Sequence, residues 1–503
     1  LIPGRNVLLV VGDDAGFESS VYGNNEIDTP ALQDLANLGV TFDQAFTTVS
    51  SCSPSRAVIL TGLPPHQNGM YGLHHDVHHF NSFPKVRSLP SFLRSANICT
   101  GIIGKKHVGP SETFKFDFEQ TEENNPTNLV GRNITHVRLL ADKFLDICAK
   151  KQQNFLLYIA FHDPHRCHPS NGMGGFCEHY GNGQPGMGLI PDWTPTYYDP
   201  KKVVVPYFIP STPAARQDIA AQYTAVNRMD QGIQLLSDLM RSRDLLNETL
   251  IIFTSDNGIP FPSGRTNLYD PGMREPLIMV SPKHRHLSGT RSHRQVGLVD
   301  IVPTILDWFD IPYPNYRIFK HDPIVRLTGQ SLLEGIPSIP SKSRKSTRTH
   351  QYRHGNRVMF GSHNLHEISM YYPMRVARSR RYKLIENLNW QAPFPIDQDF
   401  YVSLTYQDIL NRTKHHLATN WYKNITGYYY RPKYELYNVK HDPSERWNLA
   451  KKLPKVLKWL AGKLHKWMNE TSDPWLCAPD SVIEYERVKH HQRFAQCLSL
   501  YNE

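Results

Sequence analysis

Short, largely apolar runs alternate with longer stretches whose apolar positions recur every three or four residues through the first three-fifths of the chain. The first pattern is that of a strand covered on both faces, the second that of a helix with one buried stripe. Strands are expected at 6–11, 40–46, 100–103, 155–161, 249–254 and 276–280. Helices are expected at 30–38, 134–150, 214–243 and 299–309, the first opened by Asp28-Thr29-Pro30 and stopped by Gly39. This alternation predicts an α/β fold built on a large mixed, mostly parallel sheet flanked by helices. Residues 166–212, rich in Gly, Pro and Tyr, read as a long ordered excursion from it.

The pattern changes in the last third. Residues 335–357 turn basic and Ser-rich, the composition of an exposed loop, and 357–361 are expected to add one more strand to the large sheet. After Tyr371 come hairpin-like segments at 374–377 and 382–386, a strand at 435–438 and a helix at 453–468. These predict a smaller α+β domain with an antiparallel sheet and a packed helix. A chain of 503 residues exceeds one ordinary core, and the expected division is 1–370 and 371–503.

Composition narrows the class. No apolar run approaches the ~18 residues that span a bilayer, and no zinc-finger, basic-helix or ribonucleoprotein motif points to nucleic acid. The net charge of +10, with 25 His in reserve, favours polyanionic partners. Sequons at Asn133, Asn247, Asn411, Asn424 and Asn469 predict passage through the secretory route, and a start at Leu1 just before a strand predicts a removed leader. Of seven Cys, Cys167 with Cys177 and Cys477 with Cys497 are expected as local disulfides, with Cys99 and Cys148 as buried thiols.

Candidate chemistry sits at the strand ends. Asp13 and Asp14 follow the first strand, and Asp256 and Asn257 follow the strand at 249–254. Ligands of open α/β sheets bind at that edge, and four hard oxygen donors suit calcium or magnesium rather than zinc. Lys105, Lys106 and His107 end another strand, and His162-Asp163-Pro164-His165 ends a fourth. Cys52 opens an apolar helical run, where free N–H groups and the helix dipole favour an anion, and Arg56 stands one turn further on. A His cluster at 74, 75, 78 and 79 has no standard zinc spacing and reads as pocket or surface.

Cys52-x-Pro54-x-Arg56 followed by Leu60-Thr61-Gly62 resembles the signature of the sulfatase family. The resemblance implies an alkaline-phosphatase-like fold and oxidation of Cys52 to formylglycine by a formylglycine-generating enzyme. It implies one Ca2+ held by Asp13, Asp14, Asp256, Asn257 and the formylglycine oxygen of residue 52. Arg56 and Lys105 would bind sulfate, His107 would assist the nucleophile, and His165 would face the leaving group. Arg265 stands where many members carry Lys; it can pair with sulfate but cannot give up its proton. The runs 69–74, 76–83, 259–267 and 395–401 resemble the branch acting on the N-sulfate of terminal glucosamine in heparan sulfate, a lysosomal and dimeric branch. His79, His366 and Glu367 would then contact the sugar. Rival readings are an O-sulfatase on another glycosaminoglycan and, if Cys52 stays unconverted, a non-catalytic heparan-binding protein. A two-zinc phosphohydrolase is disfavoured by Asn257, which follows Asp256 where further His ligands would be needed.

Overall fold

The computed structural model describes residues 5–124, 129–167, 174–320, 323–334 and 357–477, with two short strands beyond, Ile483–Glu484 and Gln496–Cys497. The large sheet is built from β1 (Asn6–Gly12), β2 (Val40–Phe46), β3 (Cys99–Gly104), β4 (Phe118–Thr121), β5 (Phe155–Ala160), β6 (Thr249–Ser255), β7 (Arg274–Val280) and β8 (Thr290–Gly297). Their spatial order is β4-β3-β5-β1-β6-β7-β2-β8, with β7 alone running against its neighbours. The expected mixed, mostly parallel sheet is therefore present. β4 and β8 escape the sequence pattern because they are edge strands. β8 carries Thr290-Arg291-Ser292-His293-Arg294 at its more exposed start, and charge on an edge discourages further pairing.

Alternate residues of β1 feed two cores. Leu8 and Val10 join one with α1 (Pro30–Leu38), while Val7, Leu9 and Val11 join the other with α2 (Cys52–Thr61). Helices α3 (Ile134–Lys150) and α4 (Pro213–Ser242) add to the first face and α5 (Ile301–Trp308) to the second. Each fully buried Val, Leu or Ile contributes about 1.5–3 kcal/mol relative to exposure. The helix expected from residue 299 starts instead as a 3-10 turn over Leu298–Asp300. At α1 the Thr29 side chain makes no cap; the Asp230 carboxylate accepts from Ala31 N at 3.0 Å and Leu32 N at 2.8 Å, satisfying the free amides from a distant helix.

Two expectations fail. Cys99 and Cys148 are not thiols but form a disulfide, with Cα atoms 5.9 Å apart, because the last turn of α3 lands on the first residue of β3. Cys167–Cys177 pairs as expected, whereas the Cys477–Cys497 pairing falls outside the described side chains. Residues 357–361 do not extend the large sheet. They lead into β9 (Met359–His363), which pairs antiparallel with β10 (Met374–Arg378). With β11 (Lys383–Asn387) and β12 (Tyr434–Tyr437) these make a four-stranded sheet of order β12-β11-β10-β9. Of the loop expected at 335–357, residues 335–356 lie outside the described residues.

Helix α6 (Pro454–Glu470) lays Leu460, Leu464 and Trp467 on Ala377, Leu384 and Leu436 of that sheet. Buried charge ties the two sheets together. Asp270 accepts from Arg378 Nε at 3.0 Å and Nη2 at 2.8 Å, and from Lys383 Nζ at 2.9 Å. No helix among the described residues is long and apolar enough to cross a membrane.

Candidate active site

Register assembles the site. Gly12 pairs with Ser255, Val11 with Ala160, and Gly104 with Ala160, so β3, β5, β1 and β6 end side by side. Lys105, His162 to His165, Asp13 with Asp14, and Asp256 with Asn257 therefore leave the sheet along one edge, the ligand edge of open α/β folds. Gly104 makes this possible for Lys105: its φ is +104°, and a Cβ there would lie 2.0 Å from the Ala160 carbonyl oxygen. Asp14 and His107 hold left-handed backbone at φ 58° and 54°, a cost of order 1 kcal/mol each that sites of function tolerate. β2 runs parallel to β8 and antiparallel to β7, so its end opens on the same edge and delivers α2 there.

Cys52 is the first residue of α2 and is buried, its Sγ 3.9 Å from Asp14 Oδ1. Burial, and the negative charge of Asp13, Asp14 and Asp256, push its thiol well above its ordinary value against Lys105. It is the free cysteine among the described residues and, as a thiol, a poor nucleophile. Ser51 Oγ bonds His366 Nδ1 at 2.8 Å, Ser53 Oγ accepts from His74 N at 3.0 Å, and Ser55 Oγ donates to the Asp256 carbonyl at 2.5 Å. Three hydroxyls of the signature thus fix the helix start.

Arg56 turns inward rather than toward an open anion. Its Nε donates to Asp256 Oδ2 at 2.9 Å and its Nη1 to the Lys105 carbonyl at 2.6 Å, while Nη2 stands 3.3 Å from Asp13 Oδ1. Lys105 Nζ bonds Asp13 Oδ2. Although burial pushes Asp13 up, Lys105, His165 and Arg56 hold its carboxyl well below the usual range. Burial dominates at the other two: Asp14 rises well above its ordinary value and Asp256 to about 6.

These carboxylates fit a divalent cation. Ligand atoms of Asp13, Asp14 and Asp256 lie within 4.8 Å of one another. Asp13 Oδ1 and Asn257 Oδ1 are buried without a hydrogen bond, two hard acceptors left for a ligand. Five carboxylates, Asp13, Asp14, Asp256, Asp397 and Asp399, face three permanent cations, Arg56, Lys105 and Arg265. The formal deficit is two charges, that of one such ion.

Arg265 closes the far wall. Its Nη1 donates to Asp14 Oδ2 at 2.7 Å and lies 2.8 Å from His165 Nε2; its Nε donates to Asp397 Oδ2 at 2.7 Å, and its Nη2 to Asp399. His165 Nδ1 lies 2.8 Å from the Arg166 carbonyl, which fixes the tautomer with a bare Nε2 toward Arg265. Burial, with Lys105 and Arg265, holds His165 well below its ordinary value. His107 Nε2 meets His75 Nδ1 at 2.6 Å, and its buried Nδ1 has no hydrogen bond. Burial and Lys105 likewise depress it.

Most of the expected residues converge here: Asp13, Asp14, Cys52, Arg56, Lys105, His165, Asp256, Asn257 and Arg265. His366 is buried beside them, its Nε2 3.7 Å from Asp397 Oδ2, and Glu367 is half-buried, raised by burial to about 7. His79 is different: it is exposed on its loop, where its backbone carbonyl accepts from Asn81 Nδ2 at 2.9 Å. Sequence reading gave no role to Asp397 and Asp399. Their Asp-x-Asp spacing is a weak signal, and their partner Arg265 lies over 130 residues away. The His75–His107 pair was missed for the same reason.

A sulfatase family model matches residues 5–311. Over 502 residues the chain is 55% identical to the human protein named N-sulphoglucosamine sulphohydrolase, covering 99% of this chain and 95% of that one. An ulvan-active sulfatase of Formosa agariphila is 23% identical over 94% of this chain and 76% of its own. Among solved structures, a protein in complex with its substrate D-glucosamine-2-N,6-O-disulfate superposes with a TM-score of 0.60 at 19% identity, covering 93% of this chain and 98% of that one. The phosphonate monoester hydrolase of Silicibacter pomeroyi gives 0.61 at 16%, covering 93% and 96%.

Proposed function

Since the chain belongs to the sulfatase family, we propose that it is a sulfohydrolase cleaving the N–S bond of a terminal N-sulfoglucosamine in heparan sulfate. The observation that carries the reaction class is Cys52, buried at a helix N-terminus against the ring of Asp13, Asp14, Asp256 and Asn257. The substrate follows from the 55% relative, whose likeness runs through both the large and the small sheet.

We infer one calcium ion as the cation. Asp13, Asp14, Asp256 and Asn257 would hold it with the modified residue 52, and it would supply positive charge for sulfate oxygens. Conversion of Cys52 to formylglycine supplies, as its hydrate, two hydroxyls: one to attack sulfur, the other to lose its proton so that sulfate departs. Around it, the α2 N-terminus and the Lys105 ammonium favour the anion. Arg265 carries no proton it can give up, so the leaving nitrogen takes its proton from a histidine. Burial, Lys105 and Arg265 disfavour the charged form of His165, and an arriving sulfate raises its basicity, opposing the effect of the two cations. His107, its Nδ1 unpaired, is the base for the remaining hydroxyl. Glycosylation, a lysosomal address reached through the secretory route, and a homodimer belong to the same reading.

The test is release of sulfate and free glucosamine from N-sulfoglucosamine, beside 2-O- and 6-O-sulfated sugars. Turnover confined to O-sulfates would sink the substrate assignment. Intact mass of the peptide ending at Arg56 tests the conversion, which lowers it by about 18 Da and abolishes alkylation.

A further inference from the structure

A cavity of about 820 Å³ lies between the large sheet and the small one, and none of its lining residues belongs to the site around Cys52. Its walls come from the loop after β1, from β2, β7 and β8, and from the turn that joins β10 to β11. Five permanent cations line it: Arg274, Arg378, Arg380, Arg381 and Lys440. The carboxylates there are Glu18 and Asp270. Asp270 is already engaged by Arg378 and Lys383. Glu18, half-buried, is held up at about 7 by the loss of water around it. The cavity therefore carries an excess of positive charge facing a recessed, solvent-open space, where field lines concentrate.

Two features leave part of this charge uncompensated. Arg378 is buried, and its Nη1 has no hydrogen bond, although Nε and Nη2 are both spent on Asp270. An unpaired buried guanidinium N–H costs about 1–3 kcal/mol or more, which an oxyanion on the cavity side removes. Arg380 and Lys440 are exposed and meet no carboxylate within ion-pair distance among the described residues. Phe17, Tyr207 and Phe208 share the walls. Flat aromatic faces beside guanidinium groups suit a ring with apolar C–H faces and charged oxygen substituents.

We propose that this cavity is a second binding site for a sulfated oligosaccharide, separate from the centre at Cys52. Arg378 Nη1 takes one sulfate oxygen at depth, Arg380 and Lys440 take further sulfates at the mouth, and the aromatic rings carry a sugar ring between them. Its volume is that of small-molecule sites, enough for a short oligosaccharide and not for a folded partner. Preference for sulfate over phosphate as the anionic group rests on the sulfohydrolase reading; the anion site itself does not.

The experiment is calorimetric titration of the full chain with a heparin-derived hexasaccharide whose non-reducing end is an unsaturated uronate, which keeps it from being a substrate. One equivalent binds to the unaltered protein. Arg380→Glu with Lys440→Glu weakens binding at least about tenfold, while Arg380→Lys with Lys440→Arg keeps it within about threefold. Both double variants turn over N-sulfoglucosamine as the parent does, and that assay reports on the Cys52 site separately. Equal affinity in the Glu variant, or no binding to the parent, overturns the site. Inositol hexakisphosphate binding as tightly as the hexasaccharide overturns the sulfated ligand.

Discussion

Arg265 and Asp14, 251 residues apart in sequence, meet at 2.7 Å inside the protein, and the same guanidinium reaches Asp397 and Asp399 of the C-terminal part. One side chain thus links the first strand, the loop after β6 and the last third of the chain. Removing it leaves buried carboxylates uncompensated, and Arg265→Ala is expected to cost about 3–5 kcal/mol in urea unfolding. Arg265→Lys keeps one charge but loses the fork, so it recovers part of that stability while sulfate release stays at least about tenfold down. Stability of Arg265→Lys equal to that of the parent would show that the fork geometry is irrelevant here.

Cys52→Ala removes the atom to be modified and little packing. Its stability should fall by about 1 kcal/mol while turnover drops to background. Residual sulfate release within about tenfold of the parent would mean that the nucleophile lies elsewhere.

The carboxylate ring predicts a stabilising cation. Adding calcium to chelator-treated protein should raise Tm, by about 2.7 kcal/mol of stability at a hundredfold excess over Kd. Asp256→Asn, which removes one charge from the ring, should shrink that gain. A larger gain with zinc than with calcium would contradict the all-oxygen donor set.

Stability should also fall in mild acid. Burial holds His66 at about 4 and His363 at about 3 in the folded chain, against an ordinary value of 6.5. Between 6.5 and those values the unfolded chain binds protons that the folded chain refuses, so stability is full above 6.5 and is lost as pH falls toward 4. His66 accounts for up to about 3 kcal/mol of this. It bonds Ser362 Oγ and Thr471 Oγ1, both at 2.8 Å, which Gln can imitate without titrating. His66→Gln should flatten the decline across that window, and an unchanged slope would rule the residue out.

The Cys99–Cys148 disulfide closes a 49-residue separation between β3 and α3. Its removal by Cys99→Ala with Cys148→Ala should cost about 2–5 kcal/mol, read from the urea midpoint with and without reductant. A midpoint in the parent that ignores reductant would show that the bond does not form.

What the sequence determined by itself was local. Apolar runs with both faces covered have to become central strands, so β1, β5 and β6 were legible, and with them the strand ends that carry Asp13, Asp14, Asp256 and Asn257. The Cys52 helix start was legible because its signature is contiguous. Tertiary structure alone decided what depends on distance. β8 is polar because it is an edge, so periodicity was silent about it; β9 went to the small sheet because its neighbour β10 offers an antiparallel partner. Cys148 meets Cys99 only because α3 packs across β3, and neither residue's surroundings in sequence record that crossing. Arg265 finds Asp397 and Asp399 for the same reason: buried charge requires a partner, but the requirement names a chemistry and not a position.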